Sequence, residues 1–316
     1  MRAAQRPLNP GWVAGSVRAR HMLARRLGRE QARALAASAS LEHALGVLSG
    51  SAYGRSVRPG MDLASAQRAI AETALWHVRV LAGWMPPRGI ELVRVLAAWL
   101  ELANAEDRLA YLAGGPLSTP FALGGLATAG AARLESALSI AELRAALKGS
   151  PWGDPGSDEP GAIRLALRFA WARRALGSVP ETREWALGAL ALLLARELLL
   201  AGRSSDELAA LRPPVPGTAW MQSASVDALR GALPQESGWA LAGIANADAI
   251  WLGEAAWWRR VEQEAERLAR DSQMGRATVI GVVTLLGVDA SQVAAALESA
   301  ARGGGRMAIE AFEQIA

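Results

Sequence analysis

Apolar residues recur at three- and four-residue intervals along almost the whole chain, the period at which one face of an α-helix meets a core. Val, Ile, Tyr and Phe are sparse while Ala and Leu abound, so strand signals are scarce and the pattern predicts an all-α fold. Helix starts are marked by serines three residues ahead of a glutamate: Ser139 with Glu142, Ser178 with Glu181 and Ser204 with Glu207. At that spacing a hydroxyl and a carboxylate satisfy orphan backbone donors of a first turn. Pro86-Pro87, Gly114-Gly115-Pro116, the run from Gly149 to Pro160, Pro213 to Gly217 and Gly303-Gly304-Gly305 interrupt the periodicity and divide the chain into helical blocks.

A short pattern recurs among those blocks. The first copy runs from Ser40 through Leu41, Leu45 and Leu48 and closes on Gly50-Ser51-Ala52-Tyr53-Gly54. The second runs from Ser139 through Ile140, Leu143 and Leu147 and closes on Gly149-Ser150-Pro151-Trp152-Gly153. The third runs from Ser225 through Val226, Leu229 and Leu233 and reaches Trp239 after an altered turn. Each copy reads as a serine-capped short helix with one apolar stripe, ended by an aromatic beside a glycine. Tyr53, Trp152 and Trp239 are then expected as plugs buried where the short helix turns into a long one. Long helical segments follow each copy, at 62–113, 161–201 and 246–301. The spacing exceeds the ~20–50-residue period of solenoids, so a triplicated subdomain is expected, with three units able to close around a pseudo-threefold axis. The boundaries follow the breaks: a first repeat with its N-terminal helix at 1–115, a second at 116–217 and a third at 218–316.

Length and composition agree with a packed chain. At 316 residues the domain prior is about two, and 51% hydrophobic with 20% charged residues is the balance of a folded protein rather than a disordered tail. No run reaches the ~18–20 uninterrupted apolar residues of a membrane span: Trp185 to Leu200 is broken by Arg196 and Glu197, and Ala277 to Val288 has the length of a buried helix. Met1 to Pro10 carries charge but no apolar region of a signal peptide, so a cytosolic protein is expected. The net charge is +4 and Lys148 is the only lysine, so the pI of 10.4 reflects arginine chemistry more than charge excess.

Candidate chemistry is thin. Cysteine is absent, which removes disulfides, thiol nucleophiles and thiolate metal sites. His21, His43 and His77 lie far apart and outside any HExxH pair, so no metal is expected. No phosphate loop, dinucleotide fingerprint, GxSxG elbow or SxxK motif is found. Asp154, Asp158 and Glu159 cluster in a Gly/Pro-rich loop, where solvation explains them better than acid–base catalysis. Arg259 to Arg270 places Arg260 with Glu264 and Glu266 with Arg270 at i,i+4, an exposed charge-laced face or a partner surface. Trp251 and Trp258 fall seven residues apart on one stripe, with Trp257 beside them, and are expected in the core. Arg18, Arg20, Arg25, Arg26, Arg29 and Arg33 make the first helix basic, but Trp12 is its only stacking partner, and acidic helices of the same fold could neutralise it.

With the repeat in hand, the sequence resembles the C subunit of V-type and A-type rotary ATPases, called subunit d in eukaryotic pumps. The resemblance rests on Trp12 to Arg20, an aromatic and a small residue followed by arginines around a valine; on Leu41 to Gly54, a Leu-rich helix ending in Tyr53-Gly54; and on Trp99 to Leu109, similar to a helix with an acidic-Asn-Leu signature. Gly275 to Leu286 and Glu310-Ala311-Phe312 are also similar. Ser16 stands where the family has an arginine, and Asn104 lies between alanines, as in a divergent member. The resemblance implies a funnel of three similar helical domains, seated on the membrane proteolipid ring and receiving the shaft. Such a chain is a coupling subunit in ion transport, cytoplasmic and peripheral to the membrane sector, with no active site, cofactor, nucleic acid or small-molecule substrate. Arg18, Arg20 and Asn104 are its family-motif positions. The rival readings are an Arg-rich helical scaffold that binds nucleic acid or another protein, and a helical enzyme whose only support is scattered acids.

Overall fold

The computed structural model describes residues 10–305. Helix makes up 71% of it and no strand occurs among the described residues, as the periodicity requires. Two compact units emerge among the described residues: one takes 10–97 and 262–305, and the other runs Ala98–Val261. The boundary expected between 217 and 218 falls inside the second unit, and the last long helix joins the first.

The first unit begins with α1 (Pro10–Leu23), α2 (Arg29–Ala36), α3 (Leu41–Ser49), α4 (Leu63–Ala82) and α5 (Pro87–Leu96). The second holds α6 (Ala98–Leu112), α7 (Ala131–Ser136), α8 (Ile140–Lys148), α9 (Pro160–Ser178), α10 (Arg183–Ala195), α11 (Ser205–Ala210), α12 (Val226–Ala232) and the single turn α13 (Gln235–Gly238). Helix α14 (Ile250–Ala269) ends in the first unit, and α15 (Arg276–Ala301) lies wholly within it. That last helix packs against α1 to α5 in turn, with Val279, Val282, Val293 and Leu297 buried. It is long and apolar enough to cross a membrane, with a mean hydropathy of 1.7 over its most apolar window, yet 72% of that window is buried in the protein. Its apolar surface is used by the helices around it. Gly281 lets α15 come that close to α14, since a Cβ there would sit 2.4 Å from the Ala265 carbonyl oxygen.

All three serine caps of the recurring pattern form. Ser40, Ser139 and Ser225 each accept from the backbone N–H three residues on, at 3.2 Å, and each cap residue is extended. The closing turns also match. Ser51 Oγ donates to the Leu48 carbonyl, Ser150 Oγ to Leu147 and Ser237 Oγ to Pro234, each at 2.7 Å, and the plug aromatic follows two residues later. Each copy then sits in its own cluster of buried residues: Leu45, Leu48 and Tyr53 in one, Leu143, Leu147 and Trp152 in a second, and Val226 and Leu229 with Trp239 against them in a third. Ser204 and Glu207 make the full reciprocal capping box. Ser178 does not start a helix: it is the last residue of α9, and Pro180 opens only a single turn of 3-10 helix. Pro180 offers no N–H and is fixed in φ, so the chain ends one helix there before Arg183 begins the next.

Candidate functional site

Arg20, expected as a motif position, reaches the end of α14. Its Nε donates to the Ala269 carbonyl at 3.3 Å and a terminal nitrogen to the Asp271 carbonyl. The Ala269 carbonyl is one that a helix C-terminus leaves unsatisfied, where the helix dipole favours a cation, and Asp271 lies two residues beyond it. Arg20 therefore engages backbone oxygens rather than an acid. One turn earlier, the fully buried Ser16 donates to the Gly275 carbonyl at 3.4 Å, so α1 holds both ends of the loop between α14 and α15. Arg18 points elsewhere, with its Nε buried and without a hydrogen-bond partner.

Tyr53 is buried, as a plug should be, and its hydroxyl donates to Asp289 Oδ2 at 2.7 Å. Asp289 also accepts from the amides of Leu27, at 3.2 Å, and Gly28, at 2.6 Å, so one carboxylate on α15 binds the α1–α2 connection and the turn after α3. Burial, and then the charge of Asp289, push the Tyr53 phenol well above its usual value. Asp289 was not singled out from sequence, although an acid alone in the apolar run from Thr278 to Ala296 is the signal that marks it. Gly54 is required by contact: a Cβ would stand 2.0 Å from the Ser49 carbonyl oxygen.

In the second unit Asn104 clasps a backbone. Its Nδ2 donates to the Phe121 carbonyl at 3.0 Å and its Oδ1 accepts from the Phe121 amide at 2.7 Å. Glu101, buried one turn earlier, accepts from the Thr128 hydroxyl at 2.5 Å, and Arg108, one turn later, donates to the Ala137 carbonyl at 2.7 Å. The stretch from Trp99 to Leu109 thus ties down the long connection to α8 through residues at i, i+3 and i+7. This spacing puts all three on one helix face. Only Asn104 among them was anticipated.

Trp152 is buried and Trp239 half-buried, and the indole N–H of each is buried without a hydrogen-bond partner. A guanidinium covers each ring: Arg174 at 5.1 Å from that of Trp152 and Arg260 at 4.2 Å from that of Trp239. Trp251, expected in the core, is 44% exposed. The buried residues of α14 in this stretch are Ile250, Gly253, Ala255 and Val261, and half-buried Trp257 donates its Nε1 to the Trp185 carbonyl at 2.8 Å, so Trp251 lies off the inward stripe.

The acids of the 149–160 loop have structural partners. Asp154 and Asp158 pair with Arg144 at 2.9 and 3.2 Å, and Glu159 caps α9 through the amides of Gly161 and Ala162. The Arg144 guanidinium holds the Asp154 carboxyl down at about 2. The basic stretch from the end of α1 into α2 meets its neutralising partner in α14: Arg26 pairs with Glu266 at 3.2 Å and Arg29 with Glu262 at 4.0 Å. Glu266 and Arg270 form the expected i,i+4 pair, while Arg260 reaches Glu184 on α10. Glu310, Ala311 and Phe312 lie outside the described residues. No protein-family model matches this chain, and no curated protein matches it in sequence.

Proposed function

We propose that this chain is a non-catalytic coupling subunit of a V/A-type rotary ATPase, linking the central shaft to the membrane proteolipid ring. In this reading it is cytoplasmic, peripheral to the membrane sector, and built as three similar helical subdomains about a pseudo-threefold axis, in the manner of a funnel. One observation carries the reading: a serine-capped helix, a turn serine bonded to a carbonyl three residues back and an aromatic two residues on recur three times, each in its own core cluster. The residues behind the family resemblance have corresponding duties. Arg20 caps α14, Gly54 permits a close backbone approach, and Asn104 and Tyr53 fasten long connections.

A part that transmits torque must resist shear, and close-packed helices with fastened loops supply that stiffness. Arg20 spent on carbonyls, and Arg26 and Arg29 matched to glutamates, shorten the basic stripe that a nucleic-acid scaffold would need. The test is genetic. Deleting the chain from its own organism is expected to abolish ATP-driven ion transport in membrane vesicles while the catalytic head still hydrolyses ATP. Transport at the undiminished rate would overturn the proposal.

A further inference from the structure

The arginines of the first unit are sorted into two populations. On one edge of α1 and α2, Arg26 and Arg29 meet Glu266 and Glu262, two carboxylates one helical turn apart on α14. On another, Arg18 lies on α1 and Arg25 two residues past its end, in a turn where the Arg25 amide donates to the Met22 carbonyl. Seven residues separate them, about two helical turns along the chain. Arg55 joins them from the turn after α3, its guanidinium 4.0 Å above the Trp76 ring, and Trp76 packs edge-on against His77 with ring centres 5.0 Å apart. Among the described residues, no carboxylate pairs with Arg18, Arg25 or Arg55. The nearby acid, Asp289, is buried and engaged by Tyr53, Leu27 and Gly28.

His77 belongs to this cluster. Its Nδ1 lies 3.0 Å from the Thr73 carbonyl, which can only accept, so Nδ1 carries the proton and Nε2 is left for another contact. Burial lowers its pKa most, the Thr73 hydrogen bond raises it by less, and the charges of Arg25, Arg55 and Arg18 each lower it further.

We propose that Arg18, Arg25, Arg55 and His77 form a docking site for an acidic helical segment of a partner protein, with carboxylates two turns apart seated on Arg18 and Arg25. Three observations favour that occupant. The adjoining edge already receives a helix through ladder-spaced carboxylates, so this surface has the geometry for a second. The crevice between Arg25, Tyr53, Thr73 and His77 has room for only about one water-sized group, which leaves no pocket for a nucleotide or a sugar. One face of the Trp76 ring is covered by Arg55 and is not open to a stacked base. The site does not depend on the rotor reading, and binding to the isolated chain tests it separately.

The probe is a fluorescein-labelled, alanine-based helical peptide of about 20 residues, long enough to hold helix, with glutamates at i and i+7. At low salt it is expected to bind the full chain, and the same peptide with glutamines to bind far more weakly. Exchanging two exposed arginines, Arg25→Glu with Arg55→Glu, is expected to weaken binding about tenfold or more, which is about 1.4 kcal/mol. Arg29→Glu, on the opposite edge, should leave it unchanged. A lysine version of the peptide should bind the doubly reversed protein, which would exclude misfolding as the cause. The His77 ring is expected to titrate at higher pH with the glutamate peptide bound. Equal binding of the glutamine peptide, or of the doubly reversed protein, overturns the proposal. So does displacement of the peptide by millimolar inorganic phosphate or by poly(U) at lower concentration, which would make this an oxyanion or an RNA site.

Discussion

Replacing Tyr53 by phenylalanine removes one oxygen and leaves the ring in place. The lost hydrogen bond is buried, 2.7 Å long and made to a carboxylate, so it is worth about 2 kcal/mol, on the order expected for bonds to charged groups. Asp289 keeps the Leu27 and Gly28 amides, which limits the loss. Asp289→Ala takes away all three contacts and strands two amides and a phenol, at about 4 kcal/mol. On the Asp289→Ala background the tyrosine hydroxyl has nothing left to lose, so Tyr53→Phe should then cost under about 0.5 kcal/mol. The coupling in the double-mutant cycle should be about 1.5–2 kcal/mol. Urea unfolding followed by hydrogen exchange at the Leu27 and Gly28 amides reads both the energy and its location. The phenol adds a pH signature. Its folded pKa lies above the unfolded value near 10.0, so its contribution is complete below that pH and is lost as pH rises through the folded value. Additive single-mutant costs, or a Tyr53→Phe protein as stable as the parent, would refute the reasoning and leave Tyr53 as packing alone.

The remaining predictions concern the same local devices. Gly54→Ala drives a methyl into the Ser49 carbonyl and should cost about 1–3 kcal/mol, read as a shift in urea midpoint. Ser40→Ala, Ser139→Ala and Ser225→Ala should each cost about 1 kcal/mol by the same measurement, as expected of equivalent caps. Asp154 should titrate near 2 by NMR and move back toward 3.8 in Arg144→Gln. Because its folded pKa is the lower one, its small contribution should be present above about pH 4 and fade as pH falls toward 2.

What the sequence made legible was what short-range chemistry decides. The caps at Ser40, Ser139, Ser204 and Ser225 depend on a hydroxyl three residues from an amide and form as expected. The buried plugs Tyr53 and Trp152 follow from an aromatic beside a turn. Ser178 had the spacing but also Pro180, which disfavours helical backbone at Val179 and so keeps Ser178 from opening a helix. Trp251 faces outward because two stripes were available on α14, and the inward one is chosen by partners such as Trp185, far away in sequence. The same distance hid Asp289, Glu101 and Arg108. Their partners lie as far as 262, 27 and 29 residues away, and the backbone groups among them have no side-chain signature of their own. The membership of α15 in the first unit is likewise decided by packing, since its apolar run suits any core.

The coupling role is tested most directly by what the chain holds on to in its native membranes. Tagged protein, gently extracted and analysed by mass spectrometry, is predicted to bring shaft and proteolipid-ring subunits with it in fixed ratio. Recovery of the chain with none of those subunits, in an organism that expresses them, would contradict the account.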